Sequence, residues 1–517
     1  MRSIDRRRFL QGAAAGGILL AGRKPAFSAA MAHAMAPARA TPGFNPDIEL
    51  DLNAVVDEIR VLSGEPTRAW RFTGRVVRGA AHALGFLDGS RHIPVIRVRR
   101  GQKLRINFTN RLPEDSIVHW HGLHIVQRMD GHPMYAIGPG KKFVYEFLVD
   151  NRAGTYWFHP HPHGRTGYQV YHGLAGLFLI GDDEEDAARL PGGEFDLPLV
   201  IQDRTLDARN QLVYLGGGMR DRMMGFAGQR VLVNGAAEYR RTVMRTAHRL
   251  RLFNGSNSTL YRLRWSNGDP FTVIGTDGGL LERPLTREYL TLAVAERIDV
   301  WVDFSGRQPG EELALLAGSY SPMLDNITSG QSGAQVLPGG RPIARFRIAG
   351  GAARKSVLPE RLSSFPALRL DEAFNRDLPR SFELSMMRGQ AMLNGRAFDR
   401  MDEVAADETV KLGSTEVWEF ANNAPFGMRM AHPIHIHNLQ FRILERIRTE
   451  RPGGVQLDLS AGFTDDGMKD VVLVMPGERV RVLMKFENYT GLYLYHCHIL
   501  EHEDLGMMRN YLVEAPV

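Results

Sequence analysis

The chain has 517 residues, of which 44% are hydrophobic and 24% are charged. This length predicts about three domains, and the composition excludes a largely disordered chain. The formal net charge of +6 arises in residues 1–40, which hold seven Lys or Arg and one acidic residue, while the rest of the chain carries 57 basic and 57 acidic residues. The charge therefore gives no case for nucleic-acid binding.

The N-terminus has the three parts of an export signal. Three arginines at residues 6–8 are followed by an apolar stretch at 12–22 and by small residues near Ala30. The stretch is too short to cross a bilayer, and the paired arginines resemble a twin-arginine signal. We expect residues 1–40 to be the export signal and N-terminal segment of a periplasmic or otherwise exported protein, with no membrane span after signal removal. A disordered basic tail is the alternative.

Short runs rich in Val, Ile, Leu, Phe and Tyr, separated by Gly, Pro, Asn and Asp, fill the rest of the chain. This pattern is typical of all-β sandwiches. An acidic stretch at 182–194 and a Gly, Ala, Ser and Pro rich stretch at 349–366 are candidate linkers. The predicted domains therefore span residues 45–185, 190–350 and 367–517.

Two His-x-His pairs lie in the first domain, His119 with His121 and His159 with His161. Residues two apart on a strand share a face, so each pair can present two imidazoles to one metal cluster. Imidazole suits copper, zinc, iron and nickel, so the pairs alone do not identify the metal. We interpret the nearby His163 as a loop residue or as a residue that supports the metal ligands without binding the metal itself.

The first and last domains are copies of one unit, because a spaced set of residues recurs. Gly154, Tyr156, Phe158, His159 and His161 recur as Gly491, Tyr493, Tyr495, His496 and His498. The middle domain shares a Val-Asn-Gly run at 233–235 that resembles Leu-Asn-Gly at 393–395, but it has no matching histidine pair. We therefore expect the middle domain to carry no metal ligands.

The lone cysteine, Cys497, lies between His496 and His498. On a strand its sulfur would point away from the face that those two histidines share, so one strand could serve two metal sites. The side chains that could complete a blue copper site around the sulfur are His432, His502 and Met507. Together with His435 and His437, ten of the eighteen histidines fall into four short segments.

These four segments resemble the multicopper oxidase family, of the laccase and bacterial periplasmic cuprous oxidase type. They read HWHG at 119–122, WFHPH at 157–161, HPIHIH at 432–437 and HCHILEH at 496–502. The resemblance implies three cupredoxin-like Greek-key β-sandwich domains and four copper ions, with a trinuclear site between the first and last domains. It also implies that one-electron oxidation of a phenol, an aromatic amine or Cu(I) is coupled to reduction of dioxygen to water. We expect a monomer.

The resemblance also implies a role for each candidate residue. The type 2 copper would be held by His119 and His435, one type 3 copper by His121, His159 and His498, the other by His161, His437 and His496, and the type 1 copper by His432, Cys497, His502 and Met507. Carboxylates at Asp130 and Glu503 would relay protons to the cluster or adjust bound water. Their alternative is an ordinary turn or surface carboxylate.

The sequence also allows other functions for the protein and other roles for two of its methionines. A copper-free periplasmic scaffold or binding protein with the same fold is the main alternative, and chain length and the number of clustered histidines disfavour a nitrite reductase. Met428 and Met430 precede His432, where they either lie near the type 1 copper and receive Cu(I) or fill the core. Because the chain has no recognisable Met-rich insertion and Arg429 separates these methionines, oxidation of phenols or aromatic amines is somewhat favoured.

Overall fold

The computed structural model describes residues 39–87, 90, 92–323, 340–364, 368–387, 389–423 and 429–516. Residues 1–38, which hold most of the predicted export signal, and Met428 lie outside the described residues. Six β-sheets form three pairs that follow one another along the described chain, which confirms the prediction of three all-β sandwiches. The domain boundaries themselves stay a prediction.

The first sandwich has nine strands among the residues described. They are β1 (Ile48–Ile59), β2 (Thr67–Arg78), β3 (Leu84–Phe86), β4 (Pro94–Arg99), β5 (Lys103–Asn110), β6 (Val118–His121), β7 (Lys142–Leu148), β8 (Gly154–Pro160) and β9 (Gly176–Gly181). One sheet has the order β2-β1-β5-β7 and the other β3-β4-β9-β8-β6. Every second residue of β1, such as Leu50 and Leu52, points into the core, so the apolar alternation in the sequence selects the buried face.

The described residues of the middle sandwich form eleven strands. They are β10 (Asp196–Arg204), β11 (Arg230–Val233), β12 (Tyr239–Val243), β13 (Ala247–Asn254), β14 (Leu260–Trp265), β15 (Phe271–Thr276), β16 (Gly279–Arg287), β17 (Leu290–Leu292), β18 (Arg297–Asp303), β19 (Glu312–Tyr320) and β20 (Arg341–Ile348). The sheet orders are β11-β10-β13-β18-β15-β16 and β12-β20-β19-β14-β17. Both faces of β13 are buried, because its leucines enter the core while Arg249 and Arg251 pair with acidic side chains outside it.

Ten strands make up the last sandwich in the part of the chain that the structure describes. They are β21 (Arg380–Met387), β22 (Gln390–Leu393), β23 (Thr409–Lys411), β24 (Thr415–Asn422), β25 (His432–Ile436), β26 (Phe441–Arg448), β27 (Val471–Val474), β28 (Glu478–Lys485), β29 (Gly491–Cys497) and β30 (Met508–Glu514). The sheet orders are β22-β21-β24-β28-β26 and β23-β30-β29-β25-β27. The sheet that contains β25 and β29 holds five of the ten clustered histidines on these strands or directly after them.

Helices are short and connect the strands. They are α1 (Thr166–Tyr171), α2 (Asp183–Ala188), α3 (Met219–Met224), α4 (Gly454–Ser460) and α5 (Leu500–Asp504), with single 3₁₀ turns at Ala81–Ala83, Gln127–Met129, Pro133–Tyr135, Gly193–Phe195, Leu370–Glu372 and Ala406–Glu408. None of the helices in the described part of the chain is long and apolar enough to span a bilayer.

A small apolar cluster joins the three sandwiches to one another. Trp157 of the first, Phe253 and Ala295 of the middle and Val471 of the last are all buried in it. Each sandwich also has a larger core of its own. The sheets that carry the histidines are thus held against each other by packing of all three domains, which would bury several apolar side chains at about 1.5–3 kcal/mol each.

Candidate metal centres

The first half of the site is the outer face of β6 and β8. In the antiparallel register His119 lies opposite His159 and Trp120 opposite Phe158. Trp120 and Phe158 enter the core of the first sandwich, so the histidines, one residue away, must point outward. His161 follows directly after β8, and its backbone N–H donates to the carbonyl of Ile117 at 3.0 Å.

The second half is the matching face of β25 and β29. His435 lies opposite His496, and Ile434 lies opposite Cys497. Ile434 and Cys497 belong to the core of the last sandwich, whereas His435 and His496 lie on the other face. The two faces of β29 therefore serve different sites, as the sequence predicts.

The eight histidines on the two outer faces meet, and we call them the histidine cluster. Its members are His119, His121, His159, His161, His435, His437, His496 and His498, and all are fully buried. Nε2 of His119 lies 3.4 Å from Nε2 of His435, and Nε2 of His437 lies 3.1 Å from Nε2 of His496. Several three-histidine groups within it have ligand atoms within 4.8 Å of one another, and these groups share members. The segments from the two ends of the chain thus form one continuous cluster.

His498 lies at the edge of the cluster beside its predicted partners. Its ring centroid is 5.1 Å from that of His121 and 5.4 Å from that of His159. On the other side, His161 has its centroid 5.2 Å from both His437 and His496. The structure therefore brings together every histidine that the sequence assigns to this cluster.

Hydrogen bonds fix which nitrogen most of these rings present to the centre. Nδ1 of five rings donates to an oxygen atom, which leaves Nε2 as the bare nitrogen. The donors and their acceptors are His119 to the carbonyl of Asp130, His159 to that of Pro160, His435 to that of Asp470, His496 to that of Cys497, and His437 to the carboxylate of Asp130. His121 has the opposite arrangement, since its Nε2 contacts Asp470 at 3.1 Å and its Nδ1 has no hydrogen-bond partner in the described part of the chain.

The donor set fits metal ions. Ring nitrogens of His121, His159, His161 and His498 are buried and have no hydrogen-bond partner among the described residues, which is costly unless something else satisfies them. Burial, with a smaller contribution from neighbouring imidazoles, lowers the pKa of His161 and His435 well below the usual value. Burial therefore favours the neutral form of these two rings, which is the form that binds a metal.

The opposite face of β29 carries the cysteine site, by which we mean His432, Cys497, His502 and Met507. Sγ of Cys497 lies 3.4 Å from Nδ1 of His432 and 3.7 Å from Nδ1 of His502. Met507 is fully buried in the same core, and its carbonyl accepts the backbone N–H of Cys497. Two imidazoles and a thiol thus meet beside the core that contains Met507, which is the set of residues expected for a blue copper site.

Burial strongly affects the ionisation of the cysteine site. It raises the pKa of the Cys497 thiol well above the usual value and lowers the pKa of His502 to about 4. The thiolate form therefore requires a cation beside the sulfur, and a bound metal ion would supply that charge. This donor set also fits copper, which thiolate and imidazole bind well.

Helix α3 of the middle sandwich covers the outer edge of the cysteine site. Nε2 of His502 donates to the carbonyl of Met223 at 3.2 Å, and His502 is fully buried. Met219, at the start of α3, is exposed. Met430 is fully buried in the core of the last sandwich, which supports the core-filling interpretation for that methionine. Arg429 forms an ion pair with Glu450.

The two predicted carboxylates lie beside the histidine cluster and are buried. Oδ2 of Asp130 accepts from Nδ1 of His437 at 2.7 Å. Glu503, on α5, has Oε2 3.3 Å from Nδ1 of His496 and Oε1 3.5 Å from Nε2 of His161. Burial raises the pKa of Glu503 well above its usual value. Neither residue is a surface carboxylate, although their catalytic roles stay predictions.

Asp470 is a residue of the site that the sequence analysis missed. Its side chain contacts His121, and its carbonyl accepts from His435 at 2.7 Å. It is fully buried and forms an ion pair with Arg297 of the middle sandwich. The signal in the sequence is the charged pair Lys469 and Asp470, which stands directly before the apolar run of β27.

Comparisons with known proteins agree with this geometry. Profiles of the multicopper oxidase family match residues 73–185 and 373–517. The chain is 32% identical over 428 residues to a multicopper oxidase of Staphylococcus haemolyticus, and the match covers 83% of each of the two chains. It is 30% identical to a laccase of Bacillus subtilis, and that match covers 86% of this chain and 90% of the laccase. The crystal structure of a multicopper oxidase from Aquifex aeolicus covers 92% of this chain and 99% of its own, with 34% identity and a TM-score of 0.75.

These matches confirm the cupredoxin-like fold and favour an enzyme over the copper-free scaffold. The named relatives are oxidoreductases, and the family implies copper, oxygen and a reducing substrate. The chain belongs to the multicopper oxidase family.

Proposed function

We propose that the protein couples the one-electron oxidation of a reducing substrate at the cysteine site to the four-electron reduction of dioxygen to water at the histidine cluster. The observation that carries this proposal is the position of Cys497 in β29, between two histidines that face the other way. Once loaded with copper, the cysteine site would accept single electrons and the cluster would deliver four of them to one dioxygen.

We assign four copper ions to these donors. The type 1 ion takes His432, Cys497, His502 and Met507, the type 2 ion takes His119 and His435, and the two type 3 ions take His121, His159 and His498, and His161, His437 and His496. The bare ring nitrogens and the lowered pKa values of His161 and His435 support this assignment. Predominantly nitrogen ligands with one thiolate are a typical copper set.

Cys497 links the two sites through the chain itself. Its sulfur belongs to the cysteine site, while its two sequence neighbours, His496 and His498, belong to the histidine cluster. The backbone N–H of His498 also donates to the carbonyl of Pro433 at 2.6 Å, which ties β29 to β25 beside His432. Electrons would therefore travel along a short covalent path in a rigid, buried segment.

Asp130 and Glu503 would assist the delivery of protons to the histidine cluster. Reduction of one dioxygen to two waters consumes four protons, which must reach a cluster that is closed to solvent. Oδ1 of Asp130 and Oε2 of Glu503 are buried and form no hydrogen bond within the described ranges, and the two side chains contact different histidines. We propose that Glu503 passes protons to the cluster from α5 and that Asp130 orients His437 and bound water.

The electron donor would dock against α3, because the ring of His502 reaches the carbonyl of Met223 rather than solvent. We propose phenols and aromatic amines as donors. Cu(I) is a second candidate, favoured by the exposed thioether of Met219 and by Met223 and Met224 on the same helix, since thioethers are soft ligands.

We also propose that the protein is exported by the twin-arginine route and acts as a monomer in the periplasm or outside the cell. The support for export is the sequence of residues 1–40, whose arginines and apolar stretch have the order of such a signal. A folded, copper-loaded domain is suited to a route that exports folded proteins.

Oxygen uptake by the copper-loaded protein tests the proposed function. A simple phenol such as 2,6-dimethoxyphenol and Cu(I) would be supplied separately, with Cys497→Ser as the control. We expect one dioxygen consumed for every four electrons, with no peroxide released and no uptake by the control. Release of peroxide, or equal uptake by Cys497→Ser, would contradict the coupling of the two sites. The ratio of the two rates identifies the preferred donor.

A further inference from the structure

The middle sandwich contributes no histidine to the cluster, but one of its side chains contacts Asp470, which holds two of the cluster histidines. Arg297, the first residue of β18, is fully buried. Its Nη1 and Nη2 bond to the two carboxylate oxygens of Asp470 at 2.7 and 2.5 Å. This is the two-pronged geometry in which an arginine holds a carboxylate most rigidly.

The guanidinium group is itself fixed on all sides. Nε donates to the carbonyl of Thr155 at 2.9 Å, Nη1 to that of Ala295 at 2.9 Å and Nη2 to that of Asp277 at 3.1 Å. With the two bonds to Asp470, all five N–H groups have acceptors. These acceptors belong to all three sandwiches, so Arg297 lies where the three domains meet.

Asp470 in turn sets the orientation of two cluster rings. Its Oδ1 accepts from Nε2 of His121 at 3.1 Å, which leaves Nδ1 of that ring bare. Its carbonyl accepts from Nδ1 of His435 at 2.7 Å, which leaves Nε2 facing His119. A metal-binding histidine is commonly oriented in this way by the partner of its second nitrogen.

The backbone beside His121 leaves just enough room for this ion pair. Gly122 has a φ of +85°, and a Cβ there would lie 2.4 Å from Oδ2 of Asp470 and 3.0 Å from Nη2 of Arg297. Because Arg297 holds the carboxylate in place, Asp470 has little freedom to move away. The turn after β6 is therefore shaped around the pair.

Stability alone does not explain a buried pair of this kind. Removing two charges from water is costly, and apolar side chains of similar volume often stabilise a fold equally well. The neighbouring charges Lys469, Asp277 and Glu296 are buried or nearly so and are also connected, with Nζ of Lys469 lying 3.1 Å from Asp277 and 2.9 Å from Glu296. A role in placing the histidines accounts for the arrangement.

We propose that Arg297 is a positioning residue for the histidine cluster. It holds Asp470 so that His121 presents Nδ1 and His435 presents Nε2. This inference rests on the proposed function for the identity of the metal. The middle sandwich is thus part of the oxygen-reducing site although it supplies no ligand. The cysteine site lies on the other face of β29 and is independent of Arg297.

The test is Arg297→Lys, which keeps the charge and loses the two-pronged grip. The matched control is Arg249→Lys, because Arg249 is also a buried arginine of the middle sandwich that pairs with a carboxylate, Asp299, at 2.5 Å. Each copper-loaded protein is dialysed against a chelator. The remaining copper, the electron paramagnetic resonance signal of the cluster, the blue absorption and the melting temperature are then measured.

We expect Arg297→Lys to bind the cluster copper roughly 10–100-fold more weakly and to show an altered type 2 signal, with its blue absorption unchanged. Arg249→Lys should lower the melting temperature but keep the copper and both signals. An unaltered type 2 signal and parental copper retention in Arg297→Lys would overturn the proposal.

Asp470→Asn keeps the inference testable if Arg297→Lys does not fold. The asparagine side chain retains an oxygen that can accept from His121, but it carries no charge to pair with Arg297. We therefore expect the same loss of cluster copper. Parental copper retention in this variant would also overturn the proposal. The unsubstituted protein distinguishes failure of the proposed function from failure of the role of Arg297. If the unsubstituted protein shows no cluster signals, the proposed function is contradicted. If the unsubstituted protein and both variants keep their cluster copper and type 2 signal, only the role of Arg297 is contradicted.

Discussion

The two faces of β29 carry sites that are built in different ways. The cysteine site lies inside the core of the last sandwich, and three of its four residues, Cys497, His502 and Met507, come from one short segment. The histidine cluster lies between sandwiches and takes its rings from both ends of the chain. The first site depends on local sequence and on one core, whereas the second depends on how whole domains dock.

The supporting contacts differ in the same way. The ring of His502 is held by a backbone carbonyl, that of Met223. The cluster histidines are held partly by the buried carboxylates Asp130 and Asp470, the second of which is gripped by Arg297. Damage to one site should therefore leave the spectroscopic signature of the other intact, and substitutions can separate the two.

Cys497→Ser should have the largest effect, because it removes the thiolate that defines one site and the path that joins both. We expect the blue absorption to disappear and turnover to fall by more than the roughly 100-fold that loss of a supporting contact costs. Visible absorption and oxygen uptake measure this result. The type 2 signal of the cluster should remain, and its loss would show that the two sites are not separable.

His437→Ala should break the other site. His437 lies between His496 and Asp130, so its loss removes one ligand and frees one carboxylate. We expect the blue colour to form, to bleach when a reductant is added and to stay bleached in air, since electrons cannot leave for dioxygen. The control is His132→Ala, a buried histidine that bonds to Asn510 and is no predicted ligand. Recolouring of His437→Ala in air at the parental rate would contradict the assignment.

Asp130→Asn should have an intermediate effect. The amide can still contact His437 but carries no charge, and we expect kcat to fall roughly 10–100-fold with the blue absorption unchanged. Steady-state oxygen uptake gives the rate. Glu146→Gln serves as a control, because Glu146 is a buried carboxylate that pairs with Arg105 away from the cluster. Equal rates of oxygen uptake by Asp130→Asn and Glu146→Gln would show that Asp130 has no role in catalysis.

Met507→Leu should have the smallest effect. The thioether is expected to be a weak axial ligand, so leucine of similar volume should preserve folding and change turnover by less than about tenfold, while the reduction potential of the cysteine site rises. A redox titration of the blue absorption measures the potential. Met508→Leu is the matched control, since Met508 is buried in a different core cluster with Phe398. An identical potential in the parent and Met507→Leu would exclude Met507 as a ligand.

Much of this site could be predicted from sequence because the ligands follow the period of a strand. His-x-His pairs and the position of Cys497 between two histidines place the donors on opposite faces without any tertiary information. The roles of Asp130 and Glu503 came only from family resemblance. Asp470 and Arg297 could not be assigned, because their contacts arise only when the middle sandwich docks, and neither carries a metal-ligand pattern. The sequence allows two interpretations of Met430, and its burial in the core supports the core-filling one.

Metal analysis combined with spin quantitation of the copper-loaded protein tests the central claim most directly. If one thiolate and ten imidazoles form the two sites, the protein should hold four copper ions per chain, of which two give a paramagnetic signal and two are silent because they are coupled. One copper per chain, or four that all give a signal, would contradict a trinuclear cluster joined to a cysteine site.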